Sequence, residues 1–153
     1  MPEAVSTQEI TLKRVFDAPR ELVWNAWTEP DQLAEWWGPP GWTNPREMIT
    51  MDVRPGGAFR VTSVSHEDGT EMTTQGSYRE VVEPERLVLE EPAEDAWHEA
   101  AVSVVTFTDL GDGRTELVLH ATIHTTDEMR AHAEAGMAAS LDRLSKHLGG
   151  GAS

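Results

Sequence analysis

Two histidines have the spacing of a zinc site. His120 and His124 are separated by three residues, as in helical motifs that hold a zinc ion between two imidazoles. The flanking alternation of apolar and polar residues indicates a strand, however, and in a strand the two positions lie about 13 Å apart at about 3.3 Å per residue. His98 begins the segment HEAAV, in which Val102 stands where a zinc-protease motif has its second histidine. The sequence therefore predicts neither a metal site nor a cofactor.

General acid–base catalysis requires a titratable side chain at the reacting centre, and three residues are candidates for it. They are His132, His120 and Glu116. Strand parity places Glu116 and His120 on the face opposite Leu117 and Leu119, which argues against His120 reaching an interior cavity. His132 lies at the edge of the apolar stripe of a predicted helix. For each candidate the alternative is an exposed or structurally paired residue, so the question of catalysis stays open.

The segment Glu35–Pro45, EWWGPPGWTNP, places three of the six tryptophans in a turn built from glycine and proline. Each buried aromatic side chain removes about 150–250 Å² from water, which corresponds to about 4–6 kcal/mol. Leaving Trp36, Trp37 and Trp42 all exposed would forfeit much of the stability of a typical domain. Two interpretations stay open: the side chains close one end of the core, or some of them line the mouth of a cavity and bind a ligand.

A second group of candidate ligand-binding residues lies on a predicted C-terminal helix. Gly136 stands on its apolar stripe in the run AHAEAGMAAS, although a helical glycine costs about 1 kcal/mol relative to alanine. The small residues predict either very close packing on a sheet or a space left open for a ligand. Met129 and Met137 can adapt to varied apolar shapes, and Ser140 completes the group.

The hydrophobic patterning predicts an α+β protein with one domain, residues 9–148. A strand at Glu9–Phe16 precedes two short helices, and alternating segments then predict several antiparallel strands. A helix from Glu128 to Leu148, about 30 Å long, ends the domain, with Thr125 and Glu128 in capping-box spacing. This order predicts a curved antiparallel sheet of about six or seven strands with the long helix across its concave face. Residues 1–8 and 149–153 are predicted tails.

The composition disfavours several classes of function. The 153 residues include 27 acidic and 12 basic side chains, giving a net charge of −15. Such a surface repels phosphates and anionic headgroups, so we expect no nucleic-acid binding. No apolar run approaches the roughly 20 residues of a membrane helix, so we expect no membrane insertion. The chain has no cysteine and its start does not resemble a signal peptide, which together predict a cytoplasmic protein.

Four segments resemble one known family. FDAPRELVWNAWTEPDQLAEWWGP, DVRPGG, GSYREVVEPERLV and GMAASLDRLSKHL occur in this order. They are similar to the prokaryotic homologues of the heat shock protein 90 ATPase activator domain, which belong to the START-like, or SRPBCC, superfamily. The resemblance covers about Glu9 to Leu148. It implies a helix-grip fold with a cavity between the long C-terminal helix and the sheet.

Three hypotheses for function follow from the patterning and the resemblance. The first is that the protein binds a hydrophobic small molecule in the implied cavity. The second is an enzyme, either polyketide cyclase- or aromatase-like or hydrolytic, that uses an acid or base in that cavity. The third is a co-chaperone-like protein-interaction module whose partner would present a basic face to the acidic surface. The sequence also leaves open whether the chain forms a homodimer.

Overall fold

The computed structural model describes residues 6–38, 40–91 and 101–148. These residues contain eight strands, three α-helices and one short turn of 3₁₀ helix at Arg46–Met48. The strands are β1 (Ser6–Phe16), β2 (Trp42–Thr43), β3 (Ile49–Met51), β4 (Ala58–Ser65), β5 (Glu71–Val82), β6 (Arg86–Glu91), β7 (Ala101–Gly111) and β8 (Arg114–Thr125). The helices are α1 (Arg20–Thr28), α2 (Pro30–Trp36) and α3 (Asp127–His147).

All strand pairs are antiparallel, in the order β1-β8-β7-β6-β5-β4-β2, and β3 pairs with β4 beside this path. The α+β helix-grip fold predicted from the sequence is thereby confirmed. The strand that the patterning did not indicate is β2, whose two residues pair with Ser65 and Val64 of β4. Two residues are too few to show an alternation of apolar and polar side chains, so periodicity could not reveal this strand.

The first strand begins at Ser6, inside the segment 1–8 that was predicted to be a tail. The reason is the length of β8, whose 12 residues offer a partner to every residue from Ser6, opposite Thr125, to Phe16, opposite Thr115. Backbone hydrogen bonds to a neighbouring strand therefore continue past the apolar part of β1. Residues 1–5, the predicted tail 149–153 and His98 lie outside the described residues.

Two side chains join β1 to α3. The Arg14 Nε lies 3.7 Å from Asp142 Oδ1, so the arginine that interrupts the apolar alternation of β1 is paired with a carboxylate of the long helix. At the helix start, Arg130 Nε and Nη2 donate to the backbone oxygen of Glu9 at 3.2 and 2.9 Å. These bonds satisfy one backbone oxygen of the edge strand β1. Unpaired backbone groups on such an edge are otherwise a template for pairing with another chain.

The N-cap of the long helix lies one residue later than the capping-box pattern suggested, although the helix, Asp127–His147, lies one residue earlier than the predicted Glu128–Leu148. Thr126, and not Thr125, is the N-cap, and its hydroxyl accepts the backbone N–H of Met129 at 3.1 Å. Thr125 is instead the last residue of β8, where it pairs with Ser6. Both threonines can cap a helix, and the length of the β1–β8 ladder decides between them.

The core lies between α3, the two short helices and one face of the sheet. Leu141 and Leu144 of α3 are fully buried in one cluster with Leu117 of β8 and Phe107 of β7. Tyr78 of β5 is buried in the same cluster and packs on Phe59, with ring centroids 5.4 Å apart. Burial raises the pKa of the Tyr78 phenol well above its ordinary value, and the negative charge of Asp52 adds to the rise.

The buried phenol predicts a loss of stability at alkaline pH. Because the folded-state pKa of Tyr78 is raised, its stabilising effect is complete below the unfolded value of about 10 and is lost as the pH rises above it. Tyr78 is the single tyrosine of the chain, so absorbance of the phenolate reports it alone. In denaturant we expect the phenol to titrate near its ordinary pKa. In the folded protein we expect the titration at higher pH. A normal titration of the folded chain would contradict the burial.

Candidate functional site

An apolar cavity of about 370 Å³ lies between α3 and the sheet. The two short helices and the residues after them close one side of the cavity. The long helix α3 forms one wall, and strands β4 to β8 form the wall that faces α3. A volume of this size falls in the range of small-molecule sites, about 300–1,000 Å³. The described lining residues are Trp27, Trp36, Trp37, Gly38, Phe59, Met72, Thr74, Leu89, Glu91, Ser103, Val105, Leu119, Ala133, Gly136, Met137, Ser140 and Leu141.

Three tryptophans pack against one another at one side of the cavity. The ring centroids of Trp27 and Trp36 are 4.8 Å apart, and Trp37 lies 5.7 Å from Trp36 and 6.4 Å from Trp27. Trp36 is 1% exposed, and its indole N–H donates to the backbone oxygen of Ala26 at 2.9 Å. Trp36 therefore belongs to the core and to the cavity wall at once, so the two interpretations of the tryptophan segment are not exclusive.

Side chains from distant elements hold the backbone after α2 in place. Arg143 of α3 donates from Nη1 to the backbone oxygens of Trp37 and Gly38, at 2.9 and 2.8 Å. Asn44 donates from Nδ2 to the Trp37 oxygen at 2.8 Å and accepts the Ser63 hydroxyl at 2.6 Å. Burial lowers the pKa of Arg143, while the nearby Glu35 raises it. The tryptophan segment is thus tied to α3, which forms another wall of the same cavity.

Replacing Arg143 by leucine is expected to destabilise the protein by about 1–3 kcal/mol. The substitution leaves the Gly38 oxygen without its donor in a partly buried position, and an unsatisfied buried acceptor costs about that amount. Lys146→Leu removes an exposed charge from the same helix and serves as the matched control. Chemical denaturation measures both variants. An equal effect of the two substitutions would contradict the anchoring role of Arg143.

Small residues of α3 make room for the cavity. Ala133, Gly136 and Ser140 lie three and four residues apart and therefore on one face of the helix. A Cβ atom added to Gly136 would meet no atom of the described residues within 4 Å, leaving out the helix's own neighbouring backbone. The glycine thus faces open space and not a closely packed strand. This geometry favours the interpretation that the small residues leave a space open for a ligand over the interpretation that they allow close packing on the sheet.

Five of the seven ligand-binding candidates line the cavity. They are Trp36, Trp37, Gly136, Met137 and Ser140. Trp42 lies instead in β2 at the margin of the sheet, where it is partly exposed. Met129 lies in the first turn of α3 and is 54% exposed. Trp42 is placed at the sheet margin by its backbone pairing with β4. Met129 shares the helical face of Ala133 and Gly136, but its position in the first turn of α3 leaves it beyond the described cavity lining.

The three candidate acids and bases lie outside the described lining of the cavity. His120 is on the other face of β8, where Nδ1 lies 2.8 Å from the Thr11 hydroxyl and Nε2 lies 3.1 Å from Glu9 Oε1. Glu116 shares that face, as strand parity predicted, and His132 is exposed on α3. The described residues contain no group of three or more His, Cys, Asp or Glu side chains that could hold a metal ion.

The described cavity lining contains one titratable residue, Glu91, which the sequence reasoning did not select. Glu91 is the last residue of β6 and shares a face with Leu87 and Leu89, both of which are apolar. A carboxylate in phase with two core leucines was the available signal. It was hidden by the neighbouring acidic residues, since the run LEEPAE contains Glu90, Glu91 and Glu94.

Comparison with known proteins places the chain in one family. The family model described as activator of Hsp90 ATPase homolog 1-like protein matches residues 17–149. No functionally curated protein matches the chain. None of the helices that the structure describes is long and apolar enough to cross a membrane.

Solved structures share the fold across nearly the whole chain. A protein from Chromobacterium violaceum is 26% identical with a TM-score of 0.79, covering 92% of this chain and 96% of its own. A protein from Nitrosomonas europaea is also 26% identical, with a TM-score of 0.76 and coverages of 92% and 93%. The AHSA1 protein from Silicibacter pomeroyi is 22% identical, with a TM-score of 0.77 and coverages of 92% and 97%.

Proposed function

The chain belongs to the family of activator of Hsp90 ATPase homolog 1-like proteins, and on that premise we propose that it binds a hydrophobic small molecule in the cavity between α3 and the sheet. The observation that carries this proposal is the open volume of about 370 Å³ lined mostly by apolar side chains. Sites for small molecules are concave, largely apolar and equipped with a few polar groups. The cavity has each of these properties.

Two features of the walls support a ligand and not a packing defect. Gly136 leaves open space where alanine would be the better helix former by about 1 kcal/mol. Protein interiors are otherwise packed with few voids larger than a water molecule. Met72 and Met137 line the cavity from opposite sides, and their unbranched side chains can adjust to the shape of an apolar guest.

The proposal does not include a reaction. General acid–base catalysis, whether by a polyketide cyclase-like or a hydrolytic enzyme, would have to use Glu91, since His132, His120 and Glu116 lie outside the described lining. A single carboxylate can bind and orient a polar group of a ligand. An acid and a base acting at the same time would require two titratable groups, and Glu91 is the one titratable residue in the described part of the lining.

Titration with the neutral fluorescent dye N-phenyl-1-naphthylamine tests the binding function. The dye is apolar and gains fluorescence when it leaves water. We expect a saturable increase in fluorescence with a stoichiometry of one dye per chain. The affinity should depend little on salt, because salt screens interactions between charges and the dye is neutral. A fluorescence that does not saturate, or a stoichiometry well above one, would contradict a single internal site.

A second candidate function is contact with a protein partner, and the net charge of −15 favours it. An acidic surface attracts a partner with a basic face. Such an association weakens steeply as salt rises, whereas binding of the neutral dye does not. A homodimer would bring two like-charged surfaces together and is tested separately by the mass of the chain in solution at low and high salt. Cytoplasmic location accords with either candidate.

A further inference from the structure

Three polar side chains of the described cavity wall lie together on three neighbouring strands, and Ser140 lies on α3. Thr74 belongs to β5, Glu91 to β6 and Ser103 to β7. Glu91 pairs with Ala101, and Leu89 pairs with Ser103, so Glu91 and Ser103 are diagonal neighbours across the β6–β7 ladder. Diagonal neighbours on one face are about 7–8 Å apart, within reach of a single ligand group. The cavity therefore has a polar end on the sheet.

The aromatic side of the cavity lies further along the same strands. Phe107 is four residues beyond Ser103 in β7, which corresponds to about 13 Å at 3.3 Å per residue. Trp27 packs on Phe107 with ring centroids 6.3 Å apart. Trp36 and Trp37 extend this cluster. The carboxylate and the tryptophans thus face a ligand from separate ends, with Val105 and Leu119 between them.

We propose that Glu91 is the specificity-determining residue of the cavity, and that the cavity takes an aromatic or polycyclic molecule carrying a hydrogen-bond donor such as a hydroxyl group. The inference rests on the proposed binding function and names the class of its ligand. A carboxylate has two oxygens and can accept more than one hydrogen bond, and a hydrogen bond to an ionised acceptor is about twice as strong as one between neutral groups. The hydroxyls of Ser103 and Thr74 can add bonds to the same group of the ligand.

Three probes of similar size separate the donor from the charge. We measure how 2-naphthol, 2-fluoronaphthalene and 2-naphthoate displace N-phenyl-1-naphthylamine from the full chain. 2-Naphthol carries a hydroxyl donor at the position where 2-fluoronaphthalene carries a fluorine of similar size. 2-Naphthoate carries a negative charge. We expect 2-naphthol to bind about tenfold or more tightly than 2-fluoronaphthalene, since a hydrogen bond to a charged group has about that effect. We expect 2-naphthoate to bind most weakly, because transfer of its own charge from water into an apolar cavity costs free energy.

Two substitutions at adjacent positions assign the preference to one side chain. Glu91→Met keeps the length of the side chain and removes the carboxylate, so the preference for 2-naphthol over 2-fluoronaphthalene should fall to about one. Glu90→Met is the matched control, because Glu90 lies on the opposite face of β6, near Arg79 at 3.7 Å. It should leave the preference unchanged. Direct titration of the dye in both variants shows that each retains the cavity.

The outcomes distinguish this inference from the proposed function. If the dye binds and 2-naphthol shows no advantage, or keeps its advantage in Glu91→Met, the assignment of Glu91 is overturned while the binding function stands. If 2-naphthoate binds best, the assignment is also overturned. If neither the dye nor any probe binds at one site per chain, the proposed function itself fails.

Discussion

Gly136→Leu is expected to weaken the binding of N-phenyl-1-naphthylamine by about tenfold or more without unfolding the chain. The new side chain would project into the open space that Gly136 faces and occupy part of the cavity of about 370 Å³. A ligand forced against it loses about 1–3 kcal/mol, the usual cost of overpacking, which corresponds to a loss of affinity near or above tenfold. Helix propensity favours leucine over glycine, so the folded state should not suffer. Titration with the dye measures the change.

Two control substitutions on the same helix separate occlusion from a general effect on α3. Ala135→Leu places the same side chain on an exposed position next to Gly136 and should leave the dye affinity unchanged. Gly136→Ala should stabilise the protein by about 1 kcal/mol and reduce affinity less than leucine does. Equal dye binding by Gly136→Leu and Ala135→Leu would show that the glycine does not border the binding site.

Trp36→Ala is expected to have the largest effect on stability, a loss of about 3–5 kcal/mol. The side chain is 1% exposed, packs between Trp27 and Trp37 and donates to the Ala26 oxygen. Its removal leaves a void and an acceptor without its donor. For a domain of ordinary stability, about 5–15 kcal/mol, such a loss brings the chain close to unfolding under mild conditions.

Trp42→Ala is the matched control for that substitution. Trp42 belongs to the same segment but lies partly exposed in β2, so its removal should cost markedly less free energy of unfolding. Urea denaturation followed by circular dichroism measures both variants without relying on tryptophan fluorescence. If the two substitutions cost the same, the division of the tryptophan segment into a buried and a peripheral part is wrong.

The elements with long periodic patterns could be predicted from the sequence. The β7–β8 hairpin, with its turn at Gly111–Gly113, and the long helix both combine an uninterrupted pattern with clear ends. Side-chain parity in β8 also placed His120 and Leu119 on opposite faces correctly. These predictions succeed because the pleat of a strand and the turn of a helix follow from local backbone geometry alone.

The parts of the site that could not be predicted depend on contacts between distant residues. Trp42 and Trp37 have the same side chain and stand five positions apart, yet pairing of Trp42 with Ser65 takes it to the sheet margin. The choice of Thr126 over Thr125 as N-cap depends on how far β1 extends along β8. Parity within β6 places Glu91 on the face of Leu87 and Leu89, but the position of Ser103 beside it depends on the β6–β7 register, which a single sequence does not reveal.

Methyl resonances of isotope-labelled methionine test the central claim most directly. Met137 and Met129 both belong to α3, but Met137 lines the cavity and Met129 is 54% exposed. On titration with N-phenyl-1-naphthylamine we expect the Met137 methyl resonance, and that of the cavity residue Met72, to shift and saturate together. The Met129 resonance should stay in place. Saturating shifts of Met129 with an unmoved Met137 would contradict a binding site between α3 and the sheet.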